Sequence, residues 1–190
     1  MEAKNTIIIV AVLALLIGLT VGYALGLSRA DSSVESNTSM MEGNIDRYFI
    51  EQMIPHHEGA IAMADIALER SSNPEVRTLA AVIVQAQTEE IVQMRQWYRE
   101  WFGGEVPDNV GGHAGHGMTG TMQGMEGDLE ALQSAEDFDR EFASQMIVHH
   151  DMAIMMAQML EASTERPEMK ELAQNIVEAQ NDEIEIMRQW

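Results

Sequence analysis

The feature that most constrains this chain is that it contains the same segment twice. Gln52-Met53-Ile54-Pro55-His56-His57-Glu58-Gly59-Ala60-Ile61-Ala62-Met63-Ala64 is matched by Gln145-Met146-Ile147-Val148-His149-His150-Asp151-Met152-Ala153-Ile154-Met155-Met156-Ala157. The same offset of 93 residues aligns Pro74-Glu75 with Pro167-Glu168, Ala86-Gln87 with Ala179-Gln180, and Glu90-Ile91 with Glu183-Ile184. It also aligns Met94-Arg95-Gln96-Trp97 with Met187-Arg188-Gln189-Trp190. A constant offset without gaps means two copies of one unit. A unit that cannot bury its own apolar face buries it against its neighbour.

Within each copy the apolar residues recur at three- and four-residue spacing, the period of a helix. Asn73 suits an N-cap and Pro74 the first helical position. Ser134 and Asp137 give a weaker capping-box spacing in the second copy. Helices are expected over 44–70 and 74–102, then one ending near Ser163, then one from Pro167 to the chain end. Two repeated helical hairpins predict an all-α fold, an antiparallel four-helix bundle. It covers 44–190, with repeats 44–102 and 135–190 joined by a Gly-, His- and Met-rich loop over 103–134. Pro55 removes one backbone bond and is expected to kink the first helix or to mark its start. Val148, its counterpart, carries no such constraint.

Ahead of the bundle, Ile7 to Leu27 is an uncharged apolar run of 21 residues, preceded by Lys4 and followed by Arg29. Roughly 20 apolar residues span a bilayer as a helix, whereas the apolar region of a secretory signal is about 7–15 residues long. Residues 1–30 are therefore read as an N-terminal transmembrane anchor. A cleaved signal is the alternative, because Ser28-Arg29-Ala30 has a small-x-small pattern. Both readings export the bundle, to the periplasmic or extracellular face of a membrane or as a secreted protein. Residues 31–43, rich in Ser, Asn and Glu, read as a flexible linker.

The formal net charge is -20. That excludes nucleic acid as a partner, since phosphate binding needs a basic surface, and it attracts cations. The chain has no cysteine, which rules out disulfides, thiolate metal sites and a lipid-modified cysteine. Aromatic residues make up only 5% and methionines number 16. The core must therefore be built mainly from Ala, Ile, Leu, Val and Met, and thioethers are soft metal ligands as well as packing groups.

On a helical wheel Phe49, Met53, Ala60 and Ala64 form the apolar stripe of the first helix, with His56 and His57 on either side of its centre. Met53 lies one turn before the two histidines and Met63 two turns after His56. The third helix repeats this with Met146, His149, His150 and Met156. On the second and fourth helices Glu90 and Glu183 fall inside the apolar stripe, with Gln87 and Gln180 beside them. A carboxylate on a core face is costly unless it is paired or binds a cation. These positions are candidate metal ligands. The alternative is a buried Glu-His hydrogen-bond network that holds the bundle in register without metal. A third histidine pair lies between the repeats, where His113 and His116 precede Met118, Met122 and Met125 in a Gly-rich stretch. Such a tract is a candidate metal collector or a neutral linker. Met152, Met155 and Met159 fall off the core stripe and leave three readings open, a second soft patch, a contact in a homo-oligomer, or chance.

Imidazole with thioether and no thiolate points to copper, Cu(I) or Cu(II). Zinc accepts His and Glu but has no use for Met. Di-iron bundles use Glu-x-x-His motifs, and no Glu lies three residues before any of the six histidines. With no nucleophile–base triad and no phosphate loop, the reading is a metal-binding protein that binds or sequesters copper without turnover. The alternatives are a metal-dependent redox enzyme using the His/Glu core, or a metal-free membrane-tethered interaction module.

The segments 52–64, 145–157, 86–97 and 179–190 resemble the domain-of-unknown-function 305 family, which includes CopM-type copper-binding proteins. The resemblance runs from about residue 44 onward. It implies a ferritin-like four-helix bundle, export from the cytoplasm, and copper binding in the studied members. Met53, His56, His57, Met63, Met146, His149, His150 and Met156 carry over onto the family's pattern. Val148 and Met152 depart from Pro55 and Gly59, so the two half-sites are not expected to be identical.

Overall fold

The structure, a computed structural model, describes residues 39–107 and 127–190. The expected membrane anchor (1–30) and the collector residues His113, His116 and Met118 lie outside the described residues. Among the described residues no helix is long and apolar enough to cross a membrane.

The described chain is all-helical, with five helices: α1 Ser39–Arg70, α2 Pro74–Phe102, α3 Leu129–Ser134, α4 Phe138–Ser163 and α5 Pro167–Met187. The boundaries follow local chemistry. Asn73 caps α2 by accepting from the Glu75 amide at 3.0 Å, and Pro74 takes the first position, where its missing N–H is not needed. Gly103, at φ 71°, ends α2 with its N–H on the Arg99 carbonyl. Pro167 opens α5 in the same way as Pro74 opens α2.

Three expectations are corrected. Helix α1 begins at Ser39 and runs unbroken through Pro55, so Pro55 does not mark its start, and part of the expected linker is helical. The capping box at Ser134 does not form. Ser134 ends α3 with its hydroxyl on the Glu130 carbonyl, and Asp137 caps α4 without a side-chain bond. The connection between repeats also contains helix α3. Its N-cap Asp128 accepts from the Ala131 amide, and Leu132 supplies a fully buried anchor, an apolar contact that a Gly-rich reading of the loop overlooked.

Side chains sort into two apolar clusters at opposite ends of the bundle. One joins Ala60–Ala67 of α1, Val76–Ile83 of α2, Phe138–Met146 of α4 and the end of α5 at Ile184 and Met187. The other joins Phe49–Ile54 of α1, Ile91–Tyr98 of α2, Ala153–Leu160 of α4 and Met169–Ile176 of α5. The C-terminal half of α1 thus meets the N-terminal halves of α2 and α4 and the end of α5. This makes α1 antiparallel to both α2 and α4, and α4 antiparallel to α5. Each hairpin packs on its copy about a pseudo-two-fold axis that passes between α1 and α4. Burial of each large aliphatic or methionine side chain contributes about 1.5–3 kcal/mol, and the two clusters clamp the layer between them.

Candidate metal centre

Between the two clusters lies a polar layer. Met53 and Ala60 turn one face of α1 inward, and Met146 and Ala153 do the same for α4. The histidines three and four residues beyond each methionine must follow. His57 and His150 are fully buried, and His56 and His149 nearly so.

The four rings divide into an inner and an outer pair. His56 and His149 face each other across the pseudo-dyad, with ring centroids 3.7 Å apart and planes tilted by 45°. Within each copy the adjacent rings repeat one geometry, at 6.4 Å and 61° for His56–His57 and at 6.3 Å and 62° for His149–His150. The outer rings meet the core glutamates. His57 Nε2 lies 2.6 Å from Glu90 Oε2, and His150 Nε2 lies 2.7 Å from Glu183 Oε2. Both dyads span 33 residues of sequence, so the repeat is obeyed at atomic detail. When the imidazole is neutral, a carboxylate at Nε2 holds the proton there and leaves Nδ1 with its lone pair. Those Nδ1 atoms of His57 and His150 are buried without a hydrogen-bond partner.

His56 is more exceptional, because both of its ring nitrogens are buried without a hydrogen-bond partner. Burial holds its pKa down at about 2, from an ordinary 6.5, helped by repulsion from His149, His57 and His150. The ring therefore stays neutral, and no proton competes for its lone pair. Gln87 and Gln180 are also buried, one turn before the glutamates, with each Oε1 lacking a hydrogen-bond partner. Buried polar atoms in native folds are nearly always satisfied, so several orphaned donor atoms in one layer signal a place for a ligand.

The remaining expected residues are placed as follows. Met53 and Met146 are fully buried and flank the imidazole layer from opposite sides, one in each apolar cluster. Met63 packs in an apolar cluster, about 10 Å along α1 from His56 at 1.5 Å per residue. Met156 is half-buried against the other cluster, equally far from His149. Both thus stand two turns along their helices from the inner histidines. Among the described residues no three or more His, Asp or Glu side chains are arranged to hold a metal ion. What the layer offers directly is imidazole nitrogen, then amide oxygen and thioether. The division into inner and outer histidines was invisible to the helical wheel, which sets both members of each pair at similar angles from the stripe centre. Only the neighbouring helices decide which ring meets a carboxylate.

Fold and site together define a class, the internally duplicated helical bundle with a histidine-rich interior. The sequence profile described as "Domain of unknown function (DUF305)" matches residues 46–190, and the chain belongs to this family. Among solved structures, "CopM in the Cu(II)-bound form" is 48% identical, with a TM-score of 0.67 over 76% of this chain and 94% of that one. "CopM in the Cu(I)-bound form" is 45% identical, with a TM-score of 0.65 over 76% and 94%. A DUF305 fragment from Deinococcus radiodurans is 31% identical, with a TM-score of 0.64 over 76% and 93%. No curated protein sequence matches the chain.

Proposed function

We propose that this chain is an extracytoplasmic copper-binding protein that holds the metal as cargo in the imidazole layer, without turnover. The observation that carries the reading is His56, a buried neutral ring whose two nitrogens have no hydrogen-bond partner, set against His149. The solved Cu(II)- and Cu(I)-bound forms of CopM, at 48% and 45% identity, support it. Imidazole accepts both oxidation states, and the flanking thioethers of Met53 and Met146 favour Cu(I). The primary ligands in this reading are His56, His57, His149 and His150, whose rings must draw closer together than they stand here to share one ion. Glu90 and Glu183 act from behind His57 and His150, fixing tautomer and ring orientation as carboxylates commonly do for ligating histidines. Met63 and Met156 lie two turns along the same helices, beyond the thioethers of Met53 and Met146 in order of approach to the histidines. His113, His116 and Met118 serve as a collector. The apolar run 7–27 tethers the bundle to the membrane.

The test is titration of the full chain with Cu(II), and anaerobically with Cu(I). The variant combining His56→Ala with His149→Ala should lose stoichiometry and lose the copper-dependent rise in melting temperature that a ligand of the native state must produce. Unchanged binding in that variant removes the core from the reading. For the tether, the chain should stay with the membrane fraction through an alkaline wash, and release by the wash would remove the anchor.

A further inference from the structure

The outer face of α4 carries apolar side chains that the bundle does not bury. Met155 and Met159 are 55% and 61% exposed, and Met152 is half-buried beside them. At 100° per residue these three methionines fall within about 60° of arc. At 1.5 Å per residue the outer two are about 10.5 Å apart along the axis, with Met155 between them. A methionine side chain is unbranched, with three rotatable bonds. The three sulfurs can therefore meet above Met155 without any movement of the backbone.

The duplication supplies an internal control. The positions that correspond to Met152, Met155 and Met159 in the first copy are Gly59, Ala62 and Ile66. There the face is small and packed. Gly59 is buried, Ala62 and Ile66 are half-buried, and Ile66 packs on the neighbouring apolar cluster. The second copy thus carries three thioethers where the first carries none, two of them exposed and the third half-buried beside them, so packing does not account for the exposed pair. The local charge also suits a cation. No Lys or Arg lies between Arg140 and Arg166, and Asp151 is exposed on the same helix.

We infer that Met152, Met155 and Met159 form a second metal site on the outer face of α4, separate from the imidazole layer and selective for soft monovalent cations, Cu(I) or Ag(I). Thioethers are neutral, soft donors that discriminate against hard divalent ions. Three of them leave the single positive charge of the cation uncompensated, and the acidic surface attracts that charge at longer range. Being open to solvent, the site loads and unloads without opening the bundle. It stands whether or not the interior binds copper.

The probe is Ag(I), which needs no reductant, added to the full chain labelled at the methionine methyl carbons, in chloride-free buffer. The methyl signals of Met152, Met155 and Met159 should shift together and reach a plateau as silver is added, whereas Zn(II) should leave them in place. The triple variant Met152→Leu, Met155→Leu, Met159→Leu keeps side-chain size and helix preference. It should bind one Ag(I) fewer while taking up Cu(II) as the parent does. The His56→Ala, His149→Ala chain should show the converse, with the three methyls still responding. Silence of those methyls in the parent chain, with or without silver uptake elsewhere, overturns the site, as does a folded triple variant with undiminished silver stoichiometry. Should the triple variant not fold, the methyl titration of the parent chain decides alone.

Discussion

In the metal-free bundle, His56 should make a contribution to stability that is lost in mild acid. Its pKa is about 2 in the folded chain and 6.5 in the ordinary state, with burial as the first cause. A depressed value means that the unfolded chain binds the proton more readily than the folded one. The neutral ring's contribution is then fully present above pH 6.5 and drains away as pH falls from 6.5 toward 2. At pH 5 the unfolded ring is protonated and the folded one is not. The 1.5 pH units between 6.5 and 5 correspond to about 2 kcal/mol at 1.36 kcal/mol per unit. Against a total of about 5–15 kcal/mol for an ordinary domain, that is a measurable share.

The 31 acidic residues act in the opposite direction, since protonating them relieves self-repulsion. The quantity to measure is therefore a difference. Urea unfolding of the parent and of His56→Leu, followed by circular dichroism with chelator present, is compared at pH 7.5 and pH 5. The parent should lose about 2 kcal/mol more than the variant across that interval. At pH 7.5 the variant should be at least as stable as the parent, because it removes two buried nitrogens that lack hydrogen bonds. Leaving such a group unsatisfied costs about 1–3 kcal/mol. Parallel losses in the two chains would refute the argument that His56 is held neutral by burial.

Further outcomes follow from named contacts. Glu90→Leu strips His57 Nε2 of its 2.6 Å partner and should cost about 1–3 kcal/mol, while Glu90→Gln keeps an acceptor and should cost less. Melting midpoints should separate the two by about 2–4 °C per kcal/mol, and equal midpoints would show that the dyad contributes nothing. Gly127→Ala meets two obstacles, a φ of 71° and a new Cβ only 2.6 Å from Met63 Sδ. Gly103 has the same φ with nothing within 4 Å, so Gly103→Ala carries only the backbone cost of a sparsely populated conformation, about 1–3 kcal/mol. Urea unfolding should rank Gly127→Ala below Gly103→Ala, and equal losses would mean that residues 127–134 do not press on Met63.

The architecture was legible because a helix reports itself locally. Three- and four-residue periodicity, Asn73-Pro74 and Pro167 are short-range signals, and the gapless offset ties the two hairpins into one symmetric object. Periodicity also sufficed to turn His56, His57, His149 and His150 inward, since each pair straddles an apolar stripe. It misplaced the Ser134 cap because a capping box depends on backbone geometry that similar spacings do not guarantee. It passed over α3 because one buried leucine is too short a pattern to read.

The chain by itself determined that four helices pack as two copies and that imidazole, carboxylate and thioether share one interior. Which ring faces its symmetry mate and which is bound by a glutamate was decided by tertiary structure alone. The pairs His57–Glu90 and His150–Glu183 join residues on different helices, and the contact of His56 with His149 joins the two copies. Local spacing fixes the angle of a side chain around its own helix. Its partners depend on where the other helices come to rest.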